Sequence, residues 1–113
     1  MSEPTQLGDL EELVLLAVLR FGEEAHGGLV RDYLEDEAGR SVSVSTVYVT
    51  LMRMEEKGLV RSWMGAPTAV RGGKAKRHFA LEPEGRTALE ATRAVRERLW
   101  DAANGPAEGE ARA

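Results

Sequence analysis

Cysteine is absent from the 113 residues. Disulfide bonds are therefore excluded, and a reducing compartment, the cytoplasm, is the expected setting. Histidine is scarce, with only His26 and His78 present. Two imidazoles without a thiol fall short of the four nitrogen or sulfur ligands that structural zinc takes, so no metal is expected. No apolar run approaches the roughly 20 residues that cross a bilayer, and no membrane partner is expected. The N-terminus lacks a positive segment followed by an apolar run, so no secretory signal is visible. The spacings G-x-S-x-G, G-x-x-x-x-G-K-[ST] and H-E-x-x-H are also missing. Each would mark a known catalytic or phosphate-binding arrangement, so neither an enzyme nor a cofactor is expected.

What is present fits one domain with one modest core, since apolar residues make up 42% of the chain. The net charge of −4 argues against a general polyanion binder, but the charge is unevenly spread. Residues 1–39 hold ten acids and two bases. Residues 40–77 reverse this, with eight bases and two acids, and residues 78–113 return to seven acids against five bases. One basic third within an acidic chain is the pattern of a localised phosphate-binding surface.

Residues 1–6 are expected to be a flexible N-terminus. Asp9 is then expected to cap a first helix ending at Gly22, with Glu11 and Glu12 in its first turn. Leu10, Leu13, Val14, Ala17, Val18 and Phe21 make one apolar stripe, and Leu15, Leu16 and Leu19 widen it. A helix apolar on more than one side needs more than one neighbour, and in so short a chain that suggests a second subunit. Ala25 to Ala38 reads as a second helix with an acidic outer side, stopped by Gly39. Pro83 suits the first position of a last helix running to about Ala102. In it Ala88, Val95, Leu99 and Ala102 recur along a seam suited to helix–helix packing, flanked by Trp100. Residues 103–113 are Gly, Pro, Ala and charge, and read as a disordered tail.

The most informative stretch is Ser43 to Met64. It predicts a helix over about 45–57, a stop at Gly58, and a strand over 59–64. Ser45 is the expected cap. Val47, Leu51 and Met54 fall on one apolar face, leaving Tyr48, Thr50, Arg53 and Lys57 off it. Hydroxyls, a phenol and cations suit contact with DNA. The candidate contacts on this helix are Ser45, Thr46, Tyr48, Thr50 and Arg53. After the strand come a glycine-containing loop and a returning strand, Arg77 to Leu81, which together make a hairpin. Arg71, Lys74, Lys76 and Arg77 place four cations there without an acid, a candidate phosphate-binding group.

Helix, helix, helix, strand, basic loop, strand, helix is the order of a winged helix-turn-helix with an added C-terminal helix. The expected class is mainly α with a small β-hairpin. The expected parts are a DNA-binding domain over 7–82 and a dimerisation helix over 83–102. The sequence resembles the PadR family of transcriptional regulators in its short form. The likeness rests on Leu7-Gly8-Asp9-Leu10-Glu11, on His26-Gly27, on the run from Ser43 to Leu59, and on Arg77 to Gly85. Val44 and Val49 stand where the family usually has proline, Ser45 where it has glycine, and Glu82 where it has threonine.

The resemblance implies a homodimeric repressor that holds a two-fold DNA operator, joined through its first and last helices. Leu10, Leu13, Val14, Val95 and Leu99 are the expected dimer residues. It also implies a small aromatic effector near that interface. Trp100 then has two readings, interface core or the wall of an effector cavity. The alternative function is a winged-helix module that binds a protein and no specific DNA, which the acidic second helix favours.

Overall fold

The structure is a computed structural model, and it describes residues 5–66 and 75–105. Helix α1 spans Asp9–Phe21, strand β1 Ala25–His26, and helix α2 Gly27–Ala38. Helix α3 spans Val44–Glu56, strands β2 and β3 cover Val60–Met64 and Arg77–Leu81, and helix α4 runs Pro83–Asn104. The expected N-terminal residues 1–4 and tail residues 106–113 lie outside the described part. So do Arg71 and Lys74 of the expected wing.

The helices begin where backbone N–H groups find acceptors, and these are not always the residues expected. Asp9 does not cap α1. Gly8 holds the cap position, and its N–H donates to Glu11 Oε1 at 2.7 Å. Asp9 instead pairs with Arg40 at 2.6 Å. Ser45 does not cap α3 either. Ser43 does, accepting from the Thr46 N–H at 3.0 Å. Val44 is thus the first helical residue, the position where proline is favoured because its N–H has no helical partner. At the far end Lys57 is the C-cap and Gly58 follows at φ +77, a left-handed conformation that glycine adopts without a Cβ penalty.

The second helix is shorter than the periodicity predicts. Ala25 and His26 are extended and pair with Phe79 and His78 of β3. The sheet therefore has three antiparallel strands in the order β1-β3-β2, not two. His26 ends its strand and caps the following helix, with Nδ1 accepting from the Leu29 N–H at 3.3 Å. A two-residue strand has no periodicity of its own, so it is hidden inside a helical pattern.

The core joins every layer. Val14, Leu15 and Val18 of α1 meet Val30 and Leu34 of α2, Val47, Leu51 and Met54 of α3, and Phe79 of β3, all buried. The expected α3 stripe is therefore the buried one. Val14, expected at the dimer interface, is fully buried inside its own chain and cannot face a partner. Leu10 and Leu13 are half-buried and pack against the same core.

Helix α4 joins this core only through its first turns. A Cβ on Gly85 would stand 2.2 Å from the Leu59 carbonyl oxygen, so only glycine lets the helix start this close to the end of α3. Ala88 and Leu89 complete the contact. From Arg93 to Asn104 every residue is exposed.

Candidate nucleic-acid interface

At 100° per residue, the buried positions 47, 50, 51 and 54 of α3 gather on one side. Ser45, Val49, Met52 and Glu56 then centre the opposite side, with Tyr48 and Arg53 along its two edges. Ser45, Thr46, Tyr48, Val49 and Arg53 are exposed, and no other described element covers them. A helix held on one side by a rigid core, with polar and small side chains on the other, can enter a groove without rearranging.

Thr50 departs from the expectation. It is buried at 6% exposure, and its hydroxyl donates to the Thr46 carbonyl at 2.8 Å. A threonine inside a helix satisfies its hydroxyl in this way one turn back. Thr50 therefore belongs to the core side and is not a surface contact. Tyr48 serves two surroundings. Its ring meets Phe79 edge-on, with centroids 6.1 Å apart, while 39% of the residue stays exposed. The phenol is thus braced by β3 at the edge of the open face.

The basic third of the chain is less open than its count of cations implies. Arg40 pairs with Asp9 at 2.6 Å, and Lys57 with Glu11 at 3.5 Å. Arg61 reaches both Glu82 at 3.0 Å and Glu23 at 3.3 Å. Arg77 donates from Nη1 to Ser62 Oγ at 3.0 Å, and that hydroxyl donates to Glu55 Oε2 at 2.7 Å. Arg77 is therefore tied across the base of the hairpin to the end of α3. Among the described residues of this third, Arg53 and Lys76 are exposed and make no ion pair. Counting charges along the sequence misses these pairings because most partners lie far along the chain.

Behind the hairpin, Trp63 stacks on His78 with centroids 6.0 Å apart, and His78 meets His26 edge-on at 6.1 Å. His26 is held below its ordinary pKa of 6.5, first by burial, then by the nearby Lys76 and His78, with Asp32 opposing. A positive ring there would lose the cap bond to Leu29 and stand at a helix N-terminus, where positive charge is disfavoured. Among the described residues no three acidic, histidine or cysteine side chains gather as a metal site. Nor is any described helix long and apolar enough to cross a membrane.

Two exposed apolar residues of α3 are absent from the set expected to touch DNA. Val44 and Val49 are 48% and 49% exposed. Placing the α3 stripe on a helical wheel puts Val49 opposite Val47, Leu51 and Met54, and that signal is available from the sequence.

Elsewhere on the surface, Leu16 and Leu19 of α1 are 42% and 39% exposed, and Val95, Leu99 and Trp100 of α4 are 45%, 66% and 68% exposed. An open groove of about 520 Å³ lies along α4, lined by Leu7, Ala91, Val95 and Leu99 among others. A smaller one of about 300 Å³ is lined by Arg96, Leu99, Trp100 and Ala103.

Comparison with known proteins gives a consistent result. The profile of the transcriptional regulator PadR-like family matches residues 15–91. No curated protein matches significantly by sequence. Among solved structures, a PadR-like transcription factor from Bacteroides fragilis aligns with TM-score 0.69 at 23% identity, covering 84% of this chain and 86% of that one. A PadR family transcriptional regulator from Eggerthella lenta aligns with TM-score 0.64 at 25% identity, covering 82% and 80%. PadR of Bacillus subtilis, solved in complex with operator DNA, aligns with TM-score 0.62 at 21% identity, covering 73% of this chain and 45% of that one.

Proposed function

The chain belongs to the PadR-like family of transcriptional regulators, and from that premise we propose that it is a homodimeric repressor reading a two-fold DNA site with one α3 in each major groove. The observation that carries this reading is the uncovered face of α3, bearing Ser45, Thr46, Tyr48 and Arg53 beside a hairpin that carries the exposed Lys76. Regulation, not catalysis, is the business of this family. The shared fold with a regulator solved in complex with operator DNA supports a DNA-binding role. The two half-sites are then about 34 Å apart, one helical turn. Residues 7–82 are the DNA-binding unit and 83–102 the dimerisation helix. The compartment is the cytoplasm, where DNA is within reach.

The dimer surface is Leu16 and Leu19 of α1 with Val95, Leu99 and Trp100 of α4. Glu12, Leu16 and Leu19 recur at helical spacing, and Glu12 holds Arg96 of α4 at 2.9 Å, so the two apolar sets lie side by side. An effector is a flat aromatic molecule enclosed when the second subunit covers the groove beside Trp100. To act, it must bind one spacing of the two α3 helices better than another.

Selection of bound duplexes from a random pool by the whole chain tests this reading. A palindromic consensus with half-sites one turn apart is the expected result. The rival is a protein-interaction module, favoured by the exposed acids Asp32, Glu35, Asp36 and Glu37 on α2. Binding that enriches no sequence would transfer the conclusion to that reading.

A further inference from the structure

Val49 sits at the centre of the open α3 face, one turn after Ser45 and one turn before Arg53, and is 49% exposed. Nothing among the described residues explains a β-branched apolar residue there. Valine is a weaker helix former than alanine, lysine or glutamate, and its exposed methyls gain nothing from water. Of its neighbours on the face, Ser45, Arg53 and Glu56 are polar or charged, and Met52 is partly buried against the core, so Val49 is the exposed apolar point at the centre of a largely hydrophilic surface and not part of a broad greasy patch. Val44, the other exposed valine of this helix, lies off to the side, where its Cγ2 would stand 3.5 Å from a Cβ built on Gly27 of α2.

The major groove offers one apolar group among its base edges, the C5-methyl of thymine. We propose that Val49 is a specificity-determining residue that packs on a thymine methyl in each half-site. This rests on the reading of α3 as the DNA-reading helix. Ser45 and Arg53 flank that contact with hydrogen-bond donors, so a thymine is read by its methyl while neighbouring bases or phosphates are held by polar groups.

The test uses the full chain and the duplex it selects from a random pool. Each thymine of the half-site is replaced singly by deoxyuridine, which pairs identically and lacks only the methyl. One thymine position is expected to weaken binding about fourfold per half-site, the effect of one buried methyl group. In Val49→Ala the same replacement is expected to change affinity less than about twofold, and repeated selection should relax at that position alone. Val49 is exposed, so the variant should unfold at the same denaturant midpoint as the parent, and Val49→Thr, which keeps one methyl, should retain part of the discrimination. Equal binding of every deoxyuridine duplex overturns the inference, and so does a penalty that persists in Val49→Ala. Neither result touches the DNA-binding reading. Absence of any enriched sequence overturns both, and is separately visible at the selection step.

Discussion

Helices α3 and α4 are both amphipathic, yet the described residues complete only one of them. In α3, Val47, Leu51 and Met54 are wholly buried, and the exposed side is mostly polar. In α4, Ala88 and Leu89 are buried, but Val95, Leu99 and Trp100 stand 45–68% exposed on a helix about 33 Å long. The outer half of α4 is supported within one chain by exposed pairs such as Arg93 with Glu97 at 2.6 Å and by the Arg96–Glu12 contact. Such surface pairs contribute little, typically about 0–1 kcal/mol each. The lesson is a division of labour. The proposed reading helix is packed on one side by its own core, whereas the proposed dimerisation helix leaves an apolar face that a second subunit would cover under that proposal.

The largest effect that tests this contrast comes from matched substitutions in the two helices. Leu51→Ala should lower stability by about 2–5 kcal/mol through removal of buried methylenes and the cavity left behind, measured by urea unfolding. Leu99→Glu with Trp100→Glu should leave the far-ultraviolet signature of the fold in place. Its sedimentation should shift from twice the chain mass to the mass of one chain. If instead the double variant unfolds and Leu51→Ala does not, the contrast between the helices is wrong.

A smaller effect concerns the charges. Arg53→Glu with Lys76→Glu should weaken binding to the selected duplex. It should also flatten the dependence of log affinity on log salt by about 0.9 for each phosphate that is no longer neutralised. Arg61→Glu, which reverses a cation already held by Glu82 and Glu23, should leave that salt slope unchanged. Equal changes of slope in the two variants would mean that the pairings do not sort the cations by role.

The smallest effect is pH dependence behind the hairpin. His26 titrates below 6.5 when folded, so the unfolded chain binds its proton more readily. Its contribution to stability is complete above pH 6.5 and is lost as pH falls through the lowered folded value. Thermal unfolding at falling pH should register this. His26→Asn, whose side chain also caps helices and does not titrate, should remove that part of the acid sensitivity.

Much of this is legible in the linear order of residues. The Val47–Leu51–Met54 repeat, the stop at Gly58, the start at Pro83 and the returning strand 77–81 all stand where local rules put them. Local rules also name Ser45, Thr46, Tyr48 and Arg53 as an open set, and they are exposed together. The departures share one cause. Thr50 and Val14 are buried by neighbours that only the folded chain supplies. Strand β1 exists because Phe79 and His78, more than fifty residues later, pair with Ala25 and His26.

Cysteine content, the alternation of charge along the chain and the period of its apolar residues are properties of composition and spacing, and they bound the class of molecule. They also carry the family resemblance, because its motifs are short and local. The pairing of charges belongs to the tertiary structure. Arg40, Lys57 and Arg61 look as available as Arg53 and Lys76 along the sequence. Whether a cation meets a carboxylate depends on distances of a few ångströms between segments separated by tens of residues. Spacing along a chain carries no such distance, so only the packed arrangement of α1, α3 and the sheet decides which charges are left for a partner.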